Sequence, residues 1–338
     1  MNILIVLPNW LGDAIMSTPT IESLAEIYPK ASFTFVGSFV SIEALKHHPQ
    51  CVKAFVDPTK KSKSRLLATF MFAQKLGSFD IAITFRKNIY TSLLLRLTHS
   101  KVRIGRKTWF NQLLLTSTYS FINGQHLVEN YHQFLDSLGK KKTINKLQLH
   151  IEKKTYNKPT LGINPGATYG SAKRWYPEKF AKVAASFAKD FDIVIFGGPT
   201  EVDMGEAIEL ELKELGVTNY TNRAGKTSVI ELCSAIGGCS FFLTNDSGPM
   251  HIAAAYQVPT VSIFGPTRFT ETSQWMNHFS SIVHLNLECS PCMKRSCPLK
   301  HHDCMKNISS AMVIEASQML LNNQNAIILN EKETNEIQ

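Results

Sequence analysis

Residues 160–201 read TLGINPGATYGSAKRWYPEKFAKVAASFAKDFDIVIFGGPTE, and their grammar decides the fold. The apolar run 160–164 ends at Pro165-Gly166, a helical pattern fills 177–189, and a second apolar run over 192–196 ends at Gly197-Gly198-Pro199. Short apolar runs alternating with helical stretches mark strands buried on both faces of a parallel sheet. Downstream, a helix over 202–215, strands over 241–244 and 260–264, and a helical stretch over 250–256 repeat the pattern. Upstream, ILIVL at 3–7 meets Pro8-Asn9, and a helical pattern follows over 15–27, in which Pro19 starts or kinks the helix. Further strands are expected at 32–36, 52–56, 80–84 and 102–105, with a helix at 66–76 closed by Gly77.

The same grammar thus runs twice, interrupted by the lysine-rich stretch 140–158, which holds only the short pattern LQLHI. That stretch places a boundary between an N-terminal domain over 1–155 and a C-terminal domain over 156–325, with a last helix at 309–321 and a polar tail over 326–338. The expected architecture is two Rossmann-like α/β/α domains facing a cleft, with ligands at the C-terminal ends of the strands.

Composition narrows the function classes. A chain of 338 residues, 44% apolar and 19% charged, is long enough for two cores and excludes a peptide module or a disulfide mini-protein. No run approaches the ~20 apolar residues of a membrane span. MNILIVLP lacks a basic n-region and meets Pro8 early, so it reads as a first strand and implies a cytoplasmic protein. The net charge of +9 is uneven: residues 1–150 carry 19 basic and 8 acidic side chains, and the remainder 17 and 19. The first half is built to meet something anionic. Its basic groups are Lys60, Lys61, Lys63 and Arg65, then Arg86 and Lys87, then Arg103, Arg106 and Lys107. They lack the interleaved aromatics or recognisable module of a nucleic-acid binder, so a phosphorylated small molecule or an anionic lipid head group at a membrane surface fits better.

Candidate chemistry lies in the loops that leave strands. Asp13, in the first loop, either caps a helix or takes a proton from a hydroxyl. In NPGATYGSAKRW, Thr168 and Tyr169 offer hydroxyls and Lys173 one point charge, a set suited to phosphate oxygens. In TNDSGPMH, the strand runs into Asp246-Ser247-Gly248, where a helix N-terminus offers N–H groups to a diphosphate. Asp246 is suited to orienting backbone donors or holding sugar hydroxyls rather than touching phosphate. His251 either donates to a phosphate or packs as a satisfied histidine. Glu201 either accepts from ribose hydroxyls or charges the first turn of a helix. Lys226 could frame a base or a phosphate. Together these loops suggest a nucleotide-sugar or dinucleotide pocket in the second domain. The absence of G-x-G-x-x-G weakens an NAD-dependent dehydrogenase.

Two further motifs carry ligand-type side chains. Asp190-Phe191-Asp192 resembles a metal-holding D-x-D, but it precedes its strand and so belongs to the opposite sheet edge; no metal site is assigned. Cys289, Cys292, Cys297 and Cys304, beside His301 and His302, leave zinc, a reversible disulfide or free thiols open.

Taken together, LPNWLGDAIMSTPTIESL, NPGATYGSAKRWYPEKF, FGGPTE and TNDSGPMHIAAAYQVPTVSIFGPT resemble the ADP-heptose:lipopolysaccharide heptosyltransferases, closest to the heptosyltransferase II branch. CSPCMKRSCPLKHHDCM resembles a cysteine-rich insertion of some members, with no implied bearing on activity. The resemblance implies an inverting, metal-independent GT-B glycosyltransferase without a cofactor. It would move L-glycero-D-manno-heptose from ADP-heptose to the first heptose of heptosyl-Kdo-lipid A, with heptosyltransferase I, acting on Kdo, as the alternative. It implies Asp13 as base, Lys173 on the diphosphate, Thr168 and Tyr169 as adjacent donor contacts, Glu201 on ribose, and Asp246, Ser247, Gly248 and His251 as the D-[ST]-G-x-x-H donor motif. A transient contact with the cytoplasmic face of the inner membrane follows from a lipid acceptor.

Overall fold

A computed structural model describes residues 1–140 and 142–335 of the protein. Its contacts divide the chain into two units, Met1–Ile151 and Glu152–Gln338. In the first unit the strands are β1 (Asn2–Val6), β2 (Ser32–Gly37), β3 (Cys51–Val56), β4 (Ile81–Thr84), β5 (Val102–Arg106) and β6 (Ser117–Tyr119). They form one parallel sheet in the order β3-β2-β1-β4-β5-β6. The second unit contributes β7 (Thr160–Asn164), β8 (Asp192–Ile195), β9 (Tyr220–Asn222), β10 (Phe241–Asn245), β11 (Thr260–Ile263) and β12 (Ser280–Val283). Their order, β12-β11-β10-β7-β8-β9, is again parallel. Counted within each unit, both sheets have the doubly wound Rossmann order, which reverses direction between the first and fourth strands.

Central strands carry the apolar runs because both their faces are covered. Ile3, Leu4 and Ile5 on β1 are fully buried, as are Leu161, Phe241 and Leu243 in the second sheet. Local chemistry sets the boundaries. The expected helix over 15–27 is divided into Leu11–Met16 and Thr18–Ile27, because Pro19 takes one of the first two positions of the second helix. Gly77 ends Arg65–Leu76 at φ +80°, a backbone conformation that favours glycine. The last helix runs Ser310–Asn335, so the expected tail is helical as far as Asn335, and residues 336–338 lie outside the described residues. No helix among the described residues is long and apolar enough to cross a membrane.

The LQLHI pattern forms no strand. Leu147, Leu149 and Ile151 are buried, while the alternate residues tie the segment to the helix Thr18–Ile27. The Gln148 N–H donates to Thr18 Oγ1 at 3.0 Å, and His150 Nε2 lies 2.8 Å from Glu22 Oε1. His48 Nε2 approaches the same oxygen at 3.5 Å. Glu22, His48 and His150 bring ligand-type atoms within 4.8 Å of one another. His48 Nδ1, however, accepts the Gln50 N–H, which in the neutral ring leaves the proton on Nε2, facing Glu22. The cluster therefore reads as imidazole N–H groups turned toward one carboxylate rather than a metal site. Burial raises the Glu22 pKa, but hydrogen bonds and charge from His150 and His48 outweigh it and hold the carboxyl near about 2. A depressed carboxyl stabilises the fold fully above its unfolded pKa, and that contribution fades as pH falls from about 4.5 toward 2. Glu22→Gln should thus cost about 2–3 kcal/mol at neutral pH. Urea unfolding at pH 7 and pH 3 checks this, and an equal cost at both would sever the link to Glu22 ionisation.

Candidate active site

Parallel strands release all their loops at one sheet edge, and the loops flanking the reversal of strand order are left without a covering crossover. In the second unit these follow β7 and β10. The β7 loop ends in a short turn, Ser171–Lys173, and the β10 loop enters the helix Gly248–Ala255. Lys173 Nζ meets Asp246 Oδ2 at 2.5 Å, with the two side chains 12% and 5% exposed. The Thr267 hydroxyl donates to the same oxygen at 2.6 Å. Asp246 therefore fixes the ammonium, a sharper role than the backbone-orienting or sugar-binding one expected from the sequence. Lys173 also lies 4.8 Å from the centre of the Tyr169 ring. An ammonium held by one carboxylate still has N–H donors for a second anion.

Beside this cation the helix Gly248–Ala255 begins with Ser247 as N-cap, and no side chain caps it. The Ser247 hydroxyl instead lies 3.2 Å from Thr244 Oγ1 and within 3.5 Å of Asn164 Nδ2. A cation and a helix N-terminus at one edge make a place for diphosphate. His251, one turn along, is buried. Glu201 is also buried, and its Oε2 accepts the Gly198 N–H at 2.8 Å. The carboxylate packs on Gly166, where a Cβ would overlap it, so a side chain at that position in the β7 exit would have to displace the Glu201 carboxylate. Thr168 is exposed, but the Tyr169 hydroxyl is engaged with the Met293 carbonyl at 2.9 Å. Tyr169 thus offers the site its ring rather than the hydroxyl the sequence suggested. Lys226, after the edge strand β9, is exposed and donates to the Asn222 carbonyl at 3.2 Å. Asp192 opens β8, which puts Asp190-Phe191-Asp192 at the opposite edge from Lys173.

Several residues that shape the edge carried no separate signal in the sequence. Asn245 accepts the Trp175 N–H at 3.1 Å and donates to the Pro165 carbonyl at 2.6 Å, which joins the β7 and β10 exits. The cysteine-rich segment underlies the same loops. Ala172 N–H donates to the Arg295 carbonyl at 3.1 Å, His302 Nε2 lies 2.9 Å from the Ala172 carbonyl, and Met293 N–H donates to the Pro266 carbonyl at 2.8 Å. The segment thus backs the Lys173 loop. Burial, then the neighbouring thiols of Cys292, Cys289 and Cys297, push the Cys304 thiol up to about 11.

In the first unit, Asp13 is the third residue of Leu11–Met16, whose N-cap is Trp10. Asp13 is therefore not the N-cap, one of its two sequence readings. Its loop is pinned by Ser41, which donates to the Pro8 carbonyl at 2.5 Å, and by Ser38, which donates to the Asn9 carbonyl at 2.7 Å. Burial first, and the charge of Asp13 second, push the Tyr131 phenol well above its ordinary range. Arg86 leaves β4, on the other side of the reversal, and donates to the Leu7 carbonyl at 2.6 Å and to Asp57 at 2.7 Å. Its side chain is only 3% exposed, so Arg86 holds the β1 exit and is withdrawn from the basic surface expected to meet an anion. A hollow of about 880 Å³ along β8, β9 and residues 154–158 contains neither Lys173, Asp246 nor Glu201.

A family model described as glycosyltransferase family 9 (heptosyltransferase) matches residues 70–302. The chain is 38% identical over 331 residues to the lipooligosaccharide heptosyltransferase 2 of Campylobacter jejuni subsp. jejuni serotype O:2, covering 96% of this chain and 99% of that protein. It is 24% identical over 351 residues to the lipopolysaccharide heptosyltransferase 2 of Escherichia coli, covering 95% and 99%. The solved structure of E. coli ADP-heptose LPS heptosyltransferase II matches with a TM-score of 0.80 at 22% identity, over 96% of this chain and 100% of that one, a likeness of fold.

Proposed function

The chain belongs to glycosyltransferase family 9, the heptosyltransferases, with a GT-B type fold, and from that premise we propose that it is a heptosyltransferase II, moving L-glycero-D-manno-heptose from ADP-heptose to the first heptose of the lipopolysaccharide inner core. The observation that carries the donor half is the Lys173–Asp246 pair set beside the N-terminus of Gly248–Ala255. The 38% identity to a heptosyltransferase 2 over nearly the whole chain supports the choice of branch.

In this reading the acceptor hydroxyl attacks the anomeric carbon from the face opposite the diphosphate. The new carbon–oxygen bond forms as the bond to the β-phosphate oxygen breaks, which inverts the carbon. Asp13 takes the hydroxyl proton, and ADP departs with its growing negative charge met by Lys173 and the helix N–H groups, an electrostatic role suited to preorganised donors. Glu201 receives the ribose hydroxyls, Thr168 and the Tyr169 ring border the donor, and Ser247, Gly248 and His251 complete its phosphate edge. Lys226, after β9, frames the base. Lys60, Lys61 and Lys63 meet the anionic acceptor, which is presented at the cytoplasmic face of the inner membrane.

The test is transfer from ADP-heptose to separately prepared Kdo-lipid A and monoheptosyl-Kdo-lipid A, read by mass. One heptosyl unit should be added to the second acceptor only. Addition to the first would make the enzyme a heptosyltransferase I, and addition to neither would remove the proposed acceptor class.

A further inference from the structure

The helix Arg65–Leu76 turns Thr69, Phe72 and Ala73 into the core, as an amphipathic helix should, yet its outer face is not polar. Leu66, Leu67, Phe70 and Met71 are 61%, 58%, 49% and 63% exposed. Leu66, Leu67 and Phe70, with Leu93 and Leu97 of the neighbouring helix Ile89–Leu97, line a shallow apolar groove of about 360 Å³, and Met71 stands on the same exposed stretch of helix. The loop after β5 extends this face. Its Leu115 is buried in one cluster with Phe72 and Leu94, which puts loop and helices on the same side of the sheet. From that anchored point Trp109, Phe110 and Leu113 project at 83%, 65% and 95% exposure. Seven large apolar side chains this exposed on one side of a sheet exceed the scattered single residues of an ordinary surface.

The charge around them selects the partner. Between residues 58 and 128 the chain holds twelve Lys and Arg and one acid, Asp80. Lys60, Lys61, Lys63, Lys87, Arg96, Lys101 and Lys107 are exposed. Exposed apolar side chains in a segment this rich in exposed cations match an anionic bilayer surface, where the former enter the acyl boundary and the latter meet head-group phosphates. A second copy is a poor occupant, because an isologous contact would set these cations against themselves.

We propose that the outer face of Arg65–Leu76, with the Trp109–Leu113 loop tip, docks the protein on anionic phospholipid bilayers. The proposal deepens the reading above, from which it takes a lipid-borne acceptor, but it is measured without either substrate. Flotation with vesicles of phosphatidylcholine alone and with phosphatidylglycerol added should show binding only to the anionic set, weakened by salt. The triple variant Leu66→Ser, Phe70→Ser, Met71→Ser should bind at least ~10-fold less, with thermal unfolding and transfer to a soluble, lipid-free acceptor unchanged. The double variant Trp109→Ser, Leu113→Ser, at positions too exposed to affect folding, should also bind less. Wild-type protein that ignores anionic vesicles, or variants that bind them as wild type does, would overturn the proposal. So would a concentration-dependent dimer abolished by the same changes, which would give the face to a second copy. Loss of transfer with vesicle binding intact would instead count against the proposed reaction.

Discussion

Replacing Asp13 by Asn will slow heptosyl transfer at least ~10²-fold while leaving the fold and donor binding in place. The amide fills the same volume but cannot take a proton from the acceptor hydroxyl. Its surroundings are braced against the change: Gly12, Ala14, Ile15 and Met16 are buried, and Ser38, Ser41 and Arg86 each donate to a carbonyl between Leu7 and Asn9. A purely structural Asp13 would give a different pattern, with lower stability and little change in the chemical step. Single-turnover rates with saturating acceptor, donor affinity by calorimetry and unfolding temperature separate the cases. Near-wild-type turnover, with chemistry limiting, would leave the proposed mechanism without its base.

The second large effect is expected at Lys173, where one side chain pairs with the buried Asp246 carboxylate and, in the proposed reaction, also meets the donor diphosphate. Lys173→Met leaves the 5%-exposed Asp246 carboxylate with the Thr267 hydroxyl but no cation. Breaking a buried pair from one side costs ~3–5 kcal/mol, and the hydroxyl that remains places this site near about 3 kcal/mol. ADP-heptose affinity should fall ~10²-fold, since charge-assisted hydrogen bonds to phosphate are lost. The double variant Lys173→Met, Asp246→Asn removes the stranded charge as well. Stability should then largely recover while donor affinity stays low. If affinity recovered in step with stability, Lys173 would act through the fold alone, and the diphosphate would have to be held by the helix N–H groups.

The two predictions differ in how far the sequence alone could lead to them. Asp13 and Lys173 stand out because each follows a strand and a turn, and because each sits in a block resembling the heptosyltransferases. Asp246, the partner of Lys173, stands out in the same way, but the hydroxyl that completes the pair does not. Thr267 lies 21 residues beyond Asp246, and nothing in its own turn, Gly265-Pro266-Thr267, distinguishes it. The two meet because β10 and β11 pair in parallel, with Asn245 opposite Ile263, so that their exits lie side by side. Arg86 shows the opposite error. In the sequence it is one more cation of a basic half, whereas parallel pairing of β1 and β4 carries it to the Leu7 carbonyl and Asp57.

What the sequence determined by itself was the alternation of strand and helix, the repetition of that grammar, and the set of loops that must share a sheet edge. These follow from short-range periodicity and turn chemistry, which a chain expresses before it folds. The order of strands within each sheet was decided only by tertiary structure, and with it which two loops flank the reversal and which charges become partners. Pairing between strands 80 residues apart, such as β7 with β10, depends on burying both faces of every central strand at once. That condition belongs to the whole core and to no segment of the chain.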